Sequence, residues 1–589
     1  MRNDGFSLIE ILVAGALATI VFGGIYLSYS AILDSVVNAE LRTEALSVLN
    51  RQIEIFRNLP YDNVGTVGGI PAGVIPQVQT VTSGGVDFLV NIHVRNIDDP
   101  FDGTLGGNPN DTAPADYKLV EIEASCNLCA HFIPIAITTT VAPKNLESSS
   151  NTGSLFVNVF DSNGIPVSDA TVHVINTQTS PTIDLTDTTN ASGMLQLVGV
   201  PTSTQSYSIS VSKNGYSSEK TYRIGDPQNP NPSKPQATVA ANTVTQLSFA
   251  IDKVSSLAVK SSNALCANSS FASFTMNGAK IIGTNGGNDV LKFTTSTITD
   301  INGDKSFNSL EWDNYSLLYT ATSADLMGTI PFSPITINPN TSEVFLFVTG
   351  PKDPNSLLVS VKDANSGDPI PGVSILLSKS GFSETQITGQ FYTSETNWSS
   401  NSYTSQDGGI ESELFPGSLK LKASASSTYS TTTVSWLISN TIDFGDASTT
   451  FHQLEWLPVS QPGSTGPDSV RIQLASNNDN TTWNFIGPDG TVNSYFNVST
   501  SALPTNHNGN RYMRYKVYLQ TASENNTPEV QSVKILFSGL CTPLGNTYFG
   551  GLGTGTYDLT ATASGYVTAN STFNVSAGAQ ATTITLTPQ

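Results

Sequence analysis

The chain contains the stretch Asn163-Gly164-Ile165-Pro166-Val167-Ser168-Asp169-Ala170-Thr171-Val172. A second stretch reads Gly367-Asp368-Pro369-Ile370-Pro371-Gly372-Val373-Ser374-Ile375 and repeats its order of turn-forming and β-branched residues. An alternating apolar run precedes each stretch, at residues 155–160 and 357–361. The order of strand, turn and strand predicts that one β domain occurs twice in the chain.

The two copies also end alike. Tyr207 precedes the pair Gly215-Tyr216 at the spacing at which Tyr557 precedes Gly565-Tyr566, and each copy finishes on an alternating strand. These features resemble the carboxypeptidase regulatory-like (transthyretin-like) β-sandwich. That family is a non-catalytic accessory domain, so the resemblance implies a fold and no peptidase activity.

A third, more divergent sandwich is expected at residues 254–350. In the same family a Thr-Asp-x-x-Gly turn leads to a strand that ends near the tyrosine. Here Thr299-Asp300-Ile301-Asn302-Gly303 is followed by Leu310 and Tyr315, although the Gly-Tyr pair is missing. The other two sandwiches are expected at residues 154–253 and, split in two, at residues 356–425 plus 541–589.

The split sandwich is interrupted by about 115 residues, which is too long for a structureless loop in a compact domain. Residues 426–540 have their own strand pattern and predict an inserted jelly-roll-like module. Arg511-Tyr512-Met513-Arg514-Tyr515-Lys516-Val517, followed by Thr527-Pro528-Glu529-Val530, resembles galactose-binding-like modules of bacterial surface proteins. This resemblance covers the insert only.

The N-terminus reads Gly5-Phe6-Ser7-Leu8-Ile9-Glu10, and residues 11–33 contain no charged side chain. As a helix, those 23 residues span about 35 Å, enough to cross a hydrocarbon core of roughly 30 Å. A charge such as Glu10 inside a membrane segment costs roughly 2.5–3.5 kcal/mol on insertion scales and normally has a partner or a function.

This pattern resembles the class III signal of type IV pilins. The resemblance implies cleavage of the leader, residues 1–5, between Gly5 and Phe6, N-methylation of Phe6, and pairing of Glu10 with the N-terminus of a neighbouring subunit. Residues 6–33 would be the transmembrane and filament helix. Many pilins carry a proline midway along this helix, whereas residues 25–28 have none and Gly23-Gly24 supplies the local flexibility instead.

Two other interpretations of the N-terminus remain open. An ordinary secretory signal peptide would be cleaved within the small residues 14–18, but the apolar run continues well beyond them. A plain membrane anchor that never polymerises is the second.

The helix is expected to continue beyond the membrane, because apolar residues recur at three- and four-residue steps from Val37 to Phe56. Pro60 ends it. Residues 54–62 resemble minor pilins and pseudopilins. Residues 34–145 would therefore complete the helix and form a small pilin-like head, with strands at 86–94, 117–124 and 132–141.

Composition agrees with a mainly β, multidomain chain that has a long N-terminal α-helix, a small pilin-like α+β head, and several Ig/transthyretin-like and jelly-roll β-sandwiches. Only 12% of residues are charged, and the formal net charge is −21. An acidic chain argues against nucleic acid as a partner, because the phosphate backbone requires Lys and Arg.

Four cysteines are present: Cys126, Cys129, Cys266 and Cys541. A zinc site needs about four ligands, and His131 is the only further ligand near the CxxC, so no metal is expected. Outside the cytoplasm, disulfides are the expected state. Cys126–Cys129 would close a small loop, and Cys266–Cys541 would join distant parts of the chain.

The sequence offers few sites for chemistry. Asp300, Asn302, Asp304 and Glu311 match part of a calcium loop, but Lys305 replaces its central glycine, and an Asn-Gly hairpin is the favoured interpretation. The candidate ligand contacts of the insert are Trp483, Arg511 and Arg514. The histidines, which form no recognisable catalytic motif, are His93, His131, His173, His452 and His507.

We therefore expect a non-enzymatic minor pilin or pilin-like subunit without cofactors, displaying β modules for adhesion to a surface or glycan. Its expected partners are a prepilin peptidase, other pilins, the filament assembly machinery and the inner membrane. It would cross the cytoplasmic membrane once and then reach the cell surface. A non-polymerising adhesin, a secretion pseudopilin and a secreted carbohydrate-active enzyme are the alternatives, although no segment indicates a catalytic carboxylate pair.

Overall fold

The structure is a computed structural model that describes residues 8–129, 132–144, 151–399, 401–414 and 417–589. Gly5, Phe6 and His131 lie outside the described residues, as does the side chain of Glu10. The described chain is mainly β with one long N-terminal helix, which confirms the predicted fold class. It forms two compact units, residues 1–254 with 281–291 and residues 255–280 with 292–589, and each is described by itself.

Helix α1 spans Leu8–Asn58 and opens the first unit. Its 51 residues give a length of about 77 Å. The second half buries an apolar stripe that includes Ala45, Leu49 and Phe56, whereas the large apolar residues of the first half are exposed. The helix ends where Asn58 Nδ2 donates to the Glu54 carbonyl at 2.7 Å, two residues before Pro60.

The head packs a four-stranded antiparallel sheet against the buried stripe of α1. Along the second strand, Phe88, Val90, Ile92 and Val94 alternate toward the helix. The first of the four strands was not predicted from the sequence, because its alternation is weakly apolar. The strands, in sheet order, are β1 (Val78–Ser83), β2 (Val86–Ile97), β3 (Tyr117–Ser125) and β4 (Ile135–Val141).

The first sandwich follows the head in the first unit. Its strands are β5 (Thr152–Phe160), β6 (Thr171–Asn176), β7 (Ile183–Thr188), β8 (Met194–Pro201), β9 (Ser203–Ser212), β10 (Glu219–Lys220), β11 (Asn231–Pro232), β12 (Ala237–Val239) and β13 (Val244–Ala250). One sheet has the order β13-β5-β8, and the other has β10-β9-β6-β7 with β12 beside β9. The last strand, β13, runs parallel to the first, β5, and so closes the domain.

The second unit begins with another sandwich. The strands that follow are β14 (Ser255–Ser262), β15 (Ser273–Gly278), β16 (Ile281–Asn285), β17 (Asn288–Leu291), β18 (Thr294–Ile298), β19 (Asp304–Leu310), β20 (Asp313–Tyr319), β21 (Ala324–Ile330), β22 (Ile335–Ile337) and β23 (Ser342–Pro351). Its sheets are β19-β14-β23-β21 and β18-β15-β20-β22. The hairpin β16–β17 belongs to the first unit, where β16 pairs with β11.

The next domain is split in sequence. It begins with β24 (Asn355–Asp363), β25 (Ser374–Lys379) and β26 (Phe382–Ile387). The inserted strands are β27 (Phe391–Glu395), β28 (Tyr403–Gln406), β29 (Ile410–Glu411), β30 (Leu419–Leu421), β31 (Ser435–Ser439), β32 (Ile442–Asp443), β33 (Thr450–Leu457), β34 (Val470–Asn477), β35 (Ser501–Ala502), β36 (Tyr512–Leu519), β37 (Glu529–Val530) and β38 (Ser532–Ser538). The sandwich then resumes with β39 (Asn546–Phe549), β40 (Gly555–Thr562), β41 (Ala569–Val575) and β42 (Gly578–Leu586).

All three sandwiches share one pattern of strand connections. The sheet β39-β24-β42, with β42 parallel to β24, corresponds to β8-β5-β13, and β26-β25-β40-β41 corresponds to β7-β6-β9-β10. In the second sandwich, β23 runs parallel to β14 in the same way. Each sandwich also buries one tyrosine whose hydroxyl donates to a nearby carbonyl: Tyr207 to Pro201 at 2.5 Å, Tyr315 to Glu311 at 2.9 Å and Tyr557 to Gly553 at 2.8 Å.

The insert is larger than the sequence predicted. Strands β27 to β30, which we expected to belong to the split sandwich, pair instead with strands of the insert. The reason is burial, because their apolar side chains enter the insert's own core. These side chains are Phe391, Trp398, Ile410, Leu419 and Leu421. The insert therefore begins near residue 391 and not at residue 426.

The insert contains three sheets: β27-β38-β33-β35, β29-β30-β37, and β28-β31-β36-β32 with β34 beside β36. Strand β36 lies inside the last of these, because β31 and β32 flank one of its edges and β34 flanks the other. Its burial alternates strictly, so every second side chain points away from the core. The expected strand at residues 483–486 is reduced to a single bridge between Leu474 and Ile486.

Candidate functional site

The first half of α1 is long and apolar enough to cross a membrane, judged by length and composition. Two of its hydroxyl groups are bonded within the helix itself. Thr19 Oγ1 donates to the Gly15 carbonyl at 2.6 Å, and Ser28 Oγ donates to the Gly24 carbonyl at 2.9 Å. Such bonds lower the cost of placing these groups in hydrocarbon. Glu10 lies in this half of the helix, near its start.

The head and the first sandwich are joined by a buried ion pair. Arg95 of β2 donates from Nε to Asp187 Oδ2 at 2.7 Å and from a second nitrogen to Oδ1 of the same carboxylate. The Asp187 side chain is only 2% exposed, and His93 Nδ1 lies 3.4 Å from its Oδ1. The hydrogen bond to Asp187 raises the pKa of Arg95.

Two further contacts make this junction specific. Ile70, from the loop after α1, is buried in the core of the first sandwich. Asn96 Nδ2 donates to the Val198 carbonyl at 2.9 Å, beside Gly199, where an added Cβ would meet that nitrogen at 2.6 Å. The head and the first sandwich are thus held together by packing, a hydrogen bond and a charge pair.

All four cysteines are paired. Cys126 is bonded to Cys129, three residues along the chain, and Cys266 is bonded to Cys541, across a sequence separation of 275. The second bond lies within the second unit and ties the loop after β14 to the segment that precedes β39.

The outward side of the insert's five-stranded sheet carries cations stacked on aromatic rings. The guanidinium carbon of Arg514 lies 4.3 Å from the Trp483 ring centroid, and Lys516 Nζ lies 4.2 Å from that of Trp436. Lys516 also lies 4.9 Å from the Tyr518 ring. We call the surface formed by Arg514, Lys516 and Arg471, together with the rings they stack on, the cationic face.

Arg471, on β34, extends the cationic face at one end. Its guanidinium carbon lies 4.8 Å from the ring centroid of Tyr495, and that ring packs edge-on against Tyr518 at 5.2 Å. Desolvation lowers the pKa of both Arg514 and Lys516, since each lies partly buried against its ring. The Tyr518 hydroxyl donates to Gln473 Oε1 at 2.9 Å, and burial raises its pKa to about 12.

The three ligand candidates from the sequence thus have different environments. Trp483 is half-buried, and the Arg514 guanidinium covers one side of its ring. Arg514 lies on an interior strand, although a strand-edge position was the usual expectation for such a charge. Arg511 is neutralised by Asp443, to which it donates twice, at 2.8 Å and 2.9 Å, and this pairing lowers the pKa of Asp443.

Sequence reasoning missed Trp436, Arg471, Tyr495, Lys516 and Tyr518. Alternation within residues 512–518 was the available signal, because it places Arg514, Lys516 and Tyr518 on one side of a strand. The neighbours on β31 and β34 require knowledge of which strands pair.

The residues that match part of a calcium loop, all of them described by the structure, form a turn and an ion-pair cluster and not a metal site. Asp300 Oδ1 accepts the backbone N–H groups of Asn302 and Asp304, each at 2.8 Å, which makes a tight turn. The strands on either side of this turn, β18 and β19, belong to different sheets, so the favoured hairpin interpretation was wrong. Glu311 instead pairs with Lys280 at 2.7 Å and Lys292 at 2.6 Å.

Within the described ranges, no group of three or more His, Cys, Asp or Glu side chains is arranged to hold a metal ion. The described histidines have structural partners. His173 Nε2 lies 2.7 Å from Asp184 Oδ1, and His452 Nε2 lies 2.9 Å from Ser538 Oγ. His507 is buried, its Nδ1 lies 2.9 Å from Ser476 Oγ, and burial lowers its pKa to about 4.

Residues 154–252 match the family described as the carboxypeptidase regulatory-like domain, which corresponds to the first sandwich. A comparison with curated proteins yields no match.

Among solved structures, the chain is similar to the Bacillus anthracis TIE protein, with 10% identity, coverage of 87% of this chain and 61% of that one, and a TM-score of 0.15. It thus spans about three fifths of that protein. For the shaft pilin SpaA from Lactobacillus rhamnosus GG, identity is 11%, the coverages are 34% and 98%, and the TM-score is 0.14. For a streptococcal ancillary pilin, the identity is 8%, the alignment covers 74% of this chain and 99% of that one, and the TM-score is 0.15. At TM-scores this low, the alignments establish no shared overall fold.

Proposed function

We propose that this chain is a minor, low-copy or tip subunit of a type IV pilin-like filament, which displays β-sandwich modules for adhesion. One observation carries the proposal: helix α1 has an exposed apolar first half and a second half packed on a four-stranded antiparallel sheet. A helix of this kind can lie in lipid or in a bundle of like helices while the sheet stays outside. The Gly5-Phe6 and Glu10 pattern supports the same assignment.

The proposed mechanism begins in the cytoplasmic membrane, with the N-terminus inside. A prepilin peptidase cuts between Gly5 and Phe6, and Phe6 is N-methylated. Assembly then moves the apolar half of α1 from lipid into a bundle with other pilins, where Glu10 meets the amino terminus of a neighbour. An unpaired carboxylate in an apolar bundle is costly, so this pairing selects the correct register.

The β modules are the exported part. The joint between the head and the first sandwich would hold that sandwich to the head outside the membrane, because Arg95 pairs with the buried Asp187 carboxylate. Three sandwiches and an insert on every subunit would crowd a shaft, which favours a sparse or tip position. Adhesion at the cell surface is the function that such a display serves.

The assembly step is tested by replacing Glu10 with alanine. We expect Glu10→Ala to reduce the amount of subunit in sheared filaments by about tenfold or more, which corresponds to about 1.4 kcal/mol. Its amount in the membrane fraction should stay unchanged.

Glu40→Ala is the matched control, because Glu40 is an exposed acid on the same helix, beyond its uncharged segment. It should assemble as the wild type does. Wild-type incorporation of Glu10→Ala would contradict the proposed pairing of Glu10. Absence of the wild-type subunit from sheared filaments would instead favour a subunit that is anchored without polymerising.

A further inference from the structure

The cationic face is a local reversal of charge in a chain whose net charge is −21. Arg514 and Lys516 are two residues apart on β36, and Arg471 lies opposite Tyr518 on the adjacent strand. Strand geometry places the three cations within about 14 Å of one another along the strand direction. They form a short row on the side of the sheet that faces away from the insert's core, and each is partly buried.

These three cations are not neutralised. Within the described part of the chain, no salt bridge joins Arg471, Arg514 or Lys516 to a carboxylate. Arg514 Nε donates to Thr441 Oγ1 at 2.9 Å, and an Arg471 nitrogen donates to Gln520 Oε1 at 3.2 Å. Such neutral partners fix the guanidinium groups and leave their charge unpaired.

Stacking on aromatic rings pre-organises the three cationic side chains for ligand binding. The rings of Trp483, Trp436 and Tyr495 restrict the long side chains and exclude part of their water. A ligand that binds here therefore loses less side-chain entropy and displaces less water than it would at freely moving cations. The Asp407 carboxylate accepts the Trp436 backbone N–H at 3.2 Å. Its charge raises the pKa of Lys516, but desolvation lowers that pKa by more.

We propose that the cationic face binds an acidic polysaccharide whose sugars carry carboxylate groups. The planar guanidinium of arginine matches a carboxylate with two parallel hydrogen bonds, and the row of three cations matches charges that recur along a polymer. Hydroxyl and amide groups beside the row, such as Thr441 and Gln520, suit the sugar hydroxyl groups. This inference rests on the proposed adhesive function and names its class of ligand.

The geometry favours a glycan over single-stranded nucleic acid. Proteins that bind single strands offer open aromatic faces on which bases stack. Here the cations cover the ring faces, at 4.2–4.8 Å from the centroids. Three unpaired cations are also few for a phosphate backbone approaching a chain of this net charge.

The binding test uses the full-length chain in detergent and immobilised polygalacturonate at about 150 mM salt, where long-range attraction is screened. We expect binding to polygalacturonate, and no binding to its fully methyl-esterified form, which has the same backbone without charge. This comparison needs no variant and so does not depend on the folding of one.

The double variant Arg514→Gln/Lys516→Gln tests the site. We expect it to weaken binding by about tenfold or more. Arg511→Gln is the matched control, because Arg511 lies beside the same strand but is already neutralised by Asp443. Its affinity should remain within about twofold of that of the wild type.

Four results would overturn the inference: no binding of the wild type, equal binding to both polymers, an equal loss in Arg511→Gln, or tighter binding to oligo-dT than to polygalacturonate. The measurement is independent of polymerisation, because a solubilised single subunit is used. A negative result for polygalacturonate binding would not affect the Glu10→Ala assembly experiment. A negative result for Glu10→Ala assembly would not affect the binding experiment.

Discussion

Trp398 Nε1 donates a 2.6 Å hydrogen bond to the hydroxyl of Tyr515, 117 residues later in the chain, and both side chains are fully buried in the core of the insert. The same hydroxyl donates to Glu395, whose pKa is raised by burial. A residue before β28 is thus bonded to the central strand of the sheet that carries the cationic face.

Replacing Tyr515 with phenylalanine should destabilise the insert by about 3 kcal/mol, because it leaves a buried indole N–H and a buried carboxyl group without their shared partner. Thermal unfolding of the full-length chain, followed by tryptophan fluorescence, measures this. Tyr512→Phe is the control, since Tyr512 is half-exposed on the same strand. The control should change stability by less than about 0.5 kcal/mol. Equal effects of the two variants would show that the buried network contributes nothing specific.

Stability of the insert should fall between pH 6.5 and pH 4 because of His507. Its pKa is lowered to about 4 by burial, whereas an unfolded histidine titrates near 6.5. In this range the unfolded chain binds the proton and the folded chain does not, so acid favours unfolding. The full contribution is present above pH 6.5, and up to about 3 kcal/mol is lost by pH 4.

The His507→Gln variant should show a weaker dependence of melting temperature on pH in this range, since glutamine does not titrate. His173→Gln is the comparison, because His173 is more than one third exposed at 38%. A His507→Gln profile that is parallel to the wild-type profile would exclude His507 as the source.

The joint between head and first sandwich should depend on Arg95. Arg95→Gln leaves the buried Asp187 carboxylate without its main partner, and we expect a loss of about 3 kcal/mol in the first unit. Adding Asp187→Asn should recover much of that loss, because it removes the buried charge.

Calorimetry of the full-length chain measures both Arg95 variants. Arg57→Gln is the control, since its ion pair with Glu54 is 59% and 62% exposed and should be worth less than about 0.5 kcal/mol. If the double variant is as unstable as Arg95→Gln alone, the unpaired charge of Asp187 is not the cause of the lost stability.

The two disulfides should differ in their contribution to stability. Cys266–Cys541 closes a loop with a sequence separation of 275, so its replacement by serines should cost about 5–6 kcal/mol in the chain-entropy account. Cys126–Cys129 spans a separation of only three, and its replacement should cost about 2 kcal/mol or less. Melting temperatures of the two double-serine variants test the order, and a reversed order would contradict the account.

The sequence predicts the sandwiches well where a local rule sets the spacing. Tyr207 and Tyr557 were found because each hydroxyl must reach a carbonyl a few residues earlier, which fixes the tyrosine relative to its strand. The turn beginning at Thr299 identified the divergent sandwich for the same reason: Thr299 Oγ1 accepts the Ala272 N–H at 2.9 Å, as Thr189 Oγ1 does from Ala170.

The limits of the insert and its cationic face could not be predicted in the same way. Alternation in residues 391–421 indicates strands, but nothing local to Phe391 specifies that its partner is Phe537. Likewise Lys516 meets Trp436 only because β31 pairs with β36. Such contacts depend on strand order, which is a property of the whole domain.

Mass spectrometry of the mature N-terminus, on subunits released from sheared filaments, tests the central claim most directly. We predict a chain that starts at Phe6 and carries one N-methyl group. A chain that still starts at Met1, or that begins after the small residues near Ala18, would contradict assembly through a processed helix with Glu10 inside it.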